Sequence, residues 1–77
     1  MDKNADNIIL VDIGKRIAAL RHKKGITLRA LADEIDSDNA HVSRIETGKI
    51  NLTILSLYKI SNALGVDISE LLPEYKV

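Results

Sequence analysis

Six consecutive residues, Asn39 to Arg44, carry an amide, a methyl, an imidazole, a hydroxyl and a guanidinium around a single apolar residue, Val42. Ile45 follows three positions later. On a helix that spacing puts Val42 and Ile45 on one side and turns Asn39, Ala40, His41, Ser43 and Arg44 outward. Such a face suits the edges of base pairs in a major groove. A guanidinium takes guanine O6 and N7 together, an amide reads adenine, and a methyl packs on that of thymine. Asn39, Ala40, His41 and Arg44 are therefore the candidate base-reading residues. Arg44 has the competing assignments of a solvated arginine or a phosphate contact, Asn39 that of a phosphate contact, and His41 that of an ordinary surface residue. Thr27, Ser43, Lys49 and Asn51 lie where helix ends and the next loop would meet phosphates, contacts that fix register without reading sequence.

The elements that must hold these residues follow from punctuation and periodicity. Ile13, Ile17 and Leu20 share one face of a first helix expected from about Asp12, its cap, to Lys24, with His22, Lys23 and Lys24 suiting the negative end. Thr27 caps a short helix over 28–36, with Leu28, Leu31, Ala32 and Ile35 on one side. Asp36, Ser37 and Asp38 favour a turn, and a second short helix spans 39–47. Ala32 is small where two such helices cross closely, so 28–47 reads as a helix-turn-helix. Thr53 opens a fourth helix through Leu64 whose apolar band is wider than one core face needs. Asp67 and Glu70 form a capping box for a last helix, Ile68 to Leu72, which Pro73 stops. The pattern predicts an all-α, five-helix bundle over 8–73, with a flexible tail at 1–7 and a C-terminal tail at 74–77.

The chain has 77 residues, enough for one domain with a thin stability margin. Eleven basic and eleven acidic residues cancel, yet eight cations stand against five carboxylates between Lys15 and Lys49, and three against six outside it. The asymmetry is mild. A basic middle with acidic ends is compatible with one DNA-facing side, to whose general field Lys15, Arg16, Lys23 and Lys24 would belong. An ordinary solvated surface also produces it. There is no cysteine, which removes disulfides and thiolate zinc sites. No apolar run approaches membrane-spanning length and no signal pattern opens the chain, so a cytoplasmic location is expected. His22 and His41 lack metal-ligand spacing, and no glycine-rich phosphate loop is present. We expect no enzyme activity, metal or cofactor.

Several pieces in this order and spacing resemble the Cro/repressor-type (XRE-like) helix-turn-helix regulators: Gly14-Lys15-Arg16-Ile17, Leu20-Arg21, Gly25-Ile26-Thr27, Leu31-Ala32, Val42-Ser43-Arg44-Ile45-Glu46, Gly48-Lys49 and Leu64-Gly65-Val66. The likeness covers about Ile13 to Leu72, nearly the whole chain. It implies the fold of phage-repressor DNA-binding domains, binding to double-stranded operator DNA, and an ion pair between Arg21 and Glu46 joining the first helix to the third. The Asn51-Leu52-Thr53-Ile54 connection is also similar to that of restriction-modification controller proteins. Four positions depart from the family. Asp36 stands at a turn position where glycine is usual, and Asp tolerates a left-handed backbone better than most residues. Ser37 replaces an apolar residue, and Leu52 a frequent proline. Leu28 replaces a glutamine that holds a phosphate, so that anchor does not carry over.

One recognition helix reads few base pairs, so a twofold dimer is expected, with helices in successive major grooves. Its interface would use exposed members of Ile54, Leu57, Tyr58, Ile68, Leu71 and Leu72, with Tyr75 at the rim. No small-molecule effector is expected. Two assignments remain for the apolar run Ile8 to Val11: intramolecular packing as a staple or extra helical turn, or an arm crossing to a partner subunit. A protein-interaction module, such as an antitoxin or adaptor, is the competing function class; zero net charge and Leu28 favour it.

Overall fold

The first helix begins well upstream of its amphipathic pattern. In the computed structural model, which describes residues 3–74, α1 runs over Lys3–Lys23. Residues 3–7 are thus helical where a tail was expected, and Asp12 is an interior residue, not a cap. Burial explains the extension. Ile9 packs against the core and Val11 lies against Gly48, so the run 8–11 gains contacts by continuing the helix, and packing outweighs local signals. This is the intramolecular assignment, although Ile8 remains 60% exposed. The Asp12 carboxylate accepts a hydrogen bond from Arg16 along the helix at 3.1 Å. Asp6 is the acidic residue of the first turn, where the helix dipole favours one.

Three shorter helices follow: α2 (Leu28–Glu34), α3 (Asn39–Glu46) and α4 (Ile54–Leu64). Each opens on a side-chain cap. Thr27 Oγ1 accepts from the N–H of Ala30, Asp38 Oδ1 from that of His41, and Thr53 Oγ1 from that of Ser56. The closing turns are alike. Ser37 N–H donates to Ala32 O and Asp36 N–H to Asp33 O; Lys49 N–H donates to Arg44 O and Gly48 N–H to Ile45 O. Both pairs form a Schellman closure, which needs a left-handed residue after the cap. Asp36 (φ 54) and Gly48 (φ 75) supply it. The left-handed turn at Asp36 ends α2 at Glu34, short of the expected boundary at Asp36.

The expected fifth helix is a single 3₁₀ turn, Ile68–Glu70, so the bundle has four α-helices among the described residues. The capping box forms: Ser69 N–H donates to Asp67 Oδ1, and Asp67 N–H to Glu70 Oε2. Too little chain remains before Pro73 for an α-helical ladder. Glu70, Leu71 and Leu72 each bond three residues back instead, and the proline biases Leu72 away from helical backbone. Leu71 is fully buried nonetheless and pins the chain end to the core.

Ile13, Ile17, Leu31, Ala32, Val42, Ile45, Leu57, Ile60, Leu64 and Leu71 form that core. Each large member contributes roughly 1.5–3 kcal/mol through burial. α1 and α3 cross closely: a Cβ on Gly14 would stand 2.5 Å from the carbonyl oxygens of Ile45 and Glu46. Only a residue without a side chain permits that crossing.

Candidate nucleic-acid interface

Two residues seat α3 on the core. Val42 is fully buried and Ile45 2% exposed, which fixes the rotation of the helix about its axis. Asn39, Ala40, Ser43 and Arg44 are all exposed, and His41 is half-buried. Four of the five outward residues therefore stand in solvent on one helix, while His41 occupies its edge. The helix opens toward solvent on the Asp38 cap, which satisfies the His41 N–H at 2.8 Å.

The candidate phosphate contacts flank this face. Thr27 is exposed at the start of α2. Its Oγ1 accepts from Ala30 N–H at 3.0 Å, which leaves the hydroxyl proton free to donate outward. Lys49 and Asn51 are exposed in the loop after α3. Asn51 lines a hollow with Asp6, Ile9 and Leu10, so the unforeseen first turns of α1 stand beside this loop. Arg16 is engaged with Asp12 at 3.1 Å, whereas Lys15, Lys23 and Lys24 are exposed.

Arg21 and Glu46 anchor the rear of the reading helix. Arg21 Nε donates to Glu46 Oε2 at 2.7 Å and Nη2 to Glu46 Oε1 at 3.1 Å, a two-pronged pairing. Arg21 Nη1 also donates to the carbonyl of Ile26 at 2.9 Å. One guanidinium thereby ties together the end of α1, the approach to α2 and the last turn of α3. The hydrogen bonds to Glu46 and its negative charge hold the Arg21 pKa above its usual value, against the opposing effect of burial. Gly14, in the middle of α1, serves the same junction by closeness, a role its neighbours in the sequence do not reveal.

The apolar surface differs from the expected one. Leu57 and Leu71 lie in the protomer's own core, 5% and 0% exposed, because each faces the inner side of its element. Ile68 packs against that core. Of the expected set, Ile54 (67%), Tyr58 (51%) and Leu72 (41%) are exposed, joined by Leu55 at 64%. The broad apolar band of α4 pointed to a second surface without saying which residues would form it. Tyr75 lies outside the described residues.

No group of three or more potential ligands could hold a metal ion among the described residues. No described helix is long and apolar enough to cross a membrane.

The helix-turn-helix family HTH_3 matches residues 17–71. Among curated relatives, the control protein C.MunI of Mycoplasma sp is 38% identical over 66 residues, covering 84% of this chain and 89% of C.MunI. The HTH-type transcriptional regulator y4dJ of Sinorhizobium fredii, itself uncharacterized, is 34% identical over 59 residues, covering 77% of each chain. Among solved structures, the restriction-modification controller protein C.AhdI from Aeromonas hydrophila superposes with a TM-score of 0.77 at 32% identity, over 80% of this chain and 94% of its own. With the two short helices, their turn and the outward face already in place, the chain belongs to the HTH_3 helix-turn-helix family and is a DNA-binding transcription regulator, not an enzyme.

Proposed function

We propose that the protein is a cytoplasmic controller that binds a pseudo-palindromic operator as a homodimer, with α3 in the major groove of each half-site. The observation that carries this reading is the seating of α3: Val42 and Ile45 are buried while Asn39, Ala40, Ser43 and Arg44 are exposed together. In this reading Arg44 takes a guanine edge, Asn39 and Ala40 meet bases nearer the start of the helix, and His41 reaches in from its edge. Thr27, Ser43, Lys49 and Asn51 hold phosphates. The Arg21–Glu46 pair keeps the helix at a fixed angle to the fold. Ile54, Leu55, Tyr58 and Leu72 form the twofold interface, where one apolar patch meets its own copy. The resemblance to C.MunI and C.AhdI, nearly the whole of which this chain spans, supports the controller assignment over that of a phage repressor.

Selection from a random duplex library, followed by titration over a range of salt, tests the reading. Half-site centres should be about one helical turn, ~10 base pairs, apart. Arg44→Ala should cost roughly 1–3 kcal/mol on the preferred site and relax its sequence there, whereas Lys49→Ala should weaken all duplexes alike. Tyr58→Glu should give a folded monomer with much weaker operator binding. A wild-type chain that binds no duplex at low salt would instead be a protein-interaction module.

A further inference from the structure

Arg29 is the second residue of α2 and is exposed. It lines a hollow between α2 and α3 together with Asp33, Ser37, Asp38, Asn39 and Ala40. Two of those neighbours are the residues assigned to bases at the start of α3, and two are carboxylates. Arg29 is the sole cation among the lining residues.

Its position brings the fold no evident gain. A cation in the first turn of a helix opposes the helix dipole. Among the described residues, no carboxylate lies within ion-pair distance of it; the ion pairs are Arg16–Asp12 and Arg21–Glu46. Asp33, one turn along the same helix, does not engage it, and the Asp38 carboxylate is committed to capping α3. The neighbouring Leu28 packs against the core, so it offers nothing outward.

In a helix-turn-helix the first helix crosses the DNA backbone while the start of the second meets base edges. A phosphate beside Asn39 and Ala40 would then face the rim bearing Asp33 and Asp38. Without a cation that rim repels it. A guanidinium answers both needs, since it cancels the local negative charge and grips two phosphate oxygens with parallel N–H donors. We propose that Arg29 is a phosphate-binding residue that positions the first turn of α3 on DNA, an inference that rests on the DNA reading of α3 given above.

The test is anisotropy titration of the selected operator and of single-base variants, across salt, with wild type, R29A and R29K. R29A should bind on the order of tenfold more weakly. The slope of log affinity against log salt should become shallower by about 0.9, one phosphate's worth. The order of preference among base variants should match wild type, and R29K should keep the wild-type slope. R29A should melt no lower than wild type, because a charge opposed by the dipole has been removed. Wild-type affinity and slope in R29A would overturn the inference and leave the DNA reading standing. A reordered base preference at unchanged slope would overturn it in favour of base contact, and a large drop in melting temperature in favour of a role in the fold. A wild-type protein that binds no duplex would remove the DNA reading, and this inference with it.

Discussion

The turns at the two ends of α3 share a backbone and differ in what covers them. Before α3, the left-handed residue is Asp36, exposed to solvent. After α3 it is Gly48, where a Cβ would stand 2.6 Å from the Cα of Val11 and 2.7 Å from its nitrogen. A positive φ alone tolerates aspartate. A positive φ beneath the backbone of another helix tolerates only glycine. The first turn is a local matter, and the second is a joint between α1 and α3, reinforced by Gly14 and by the Arg21–Glu46 pair.

The most severe way to break this contrast is Gly48→Asp, which puts the residue of the open turn into the covered one. A left-handed non-glycine costs about 1–2 kcal/mol, and forcing atoms into a packed joint a further 1–3 kcal/mol or so. Thermal melting should show a loss of about 3 kcal/mol or more, a large share of a small domain's margin. If Gly48→Asp melts like wild type, Val11 does not hold that joint.

Next in size is the ion pair, whose side chains are 9% and 10% exposed. Glu46→Arg or Arg21→Glu alone should each cost about 3 kcal/mol, since each strands a charge that burial penalises. The double exchange should recover part of the loss. Additive losses in a melting cycle would mean that the two groups do not interact.

The reverse exchange at the open turn, Asp36→Gly, should change stability little, by about 0.5 kcal/mol or less. Glycine relieves the left-handed backbone but adds freedom to the unfolded chain. A loss as large as that of Gly48→Asp would show that Asp36 does more than turn the chain.

The smallest effect concerns an exposed cap elsewhere, Asp67, whose carboxyl is held below its usual pKa by the N–H of Ser69. A depressed folded-state pKa contributes stability above the unfolded value and loses it as pH falls through the folded value. Asp67→Asn should therefore lower stability slightly above the carboxylate range, flatten its fall on the acid side, and leave the slope on the alkaline side unchanged. Identical acid limbs for the variant and wild type would remove Asp67 from the balance.

Local chemistry was legible in the residues themselves. Thr27 and Thr53 as caps, the turn at 36–38, the inward Val42 and Ile45 and the outward reading face all follow from hydrogen-bonding groups and periods within a few positions. The Arg21–Glu46 partnership was legible only through family resemblance, since 25 residues separate the two in sequence. Three features needed the packed molecule. The start of α1 at Lys3 depends on Ile9 and Val11 finding partners far along the chain. Whether Leu57 and Leu71 or Ile54 and Leu55 face outward depends on the rotation of each element against its neighbours, which a wide apolar band leaves unset. The indispensable smallness of Gly14 comes from two carbonyls of α3 that meet it only when the helices cross. Periodicity specifies which residues share a face; which face is covered, and how closely, is decided by the elements that pack on it.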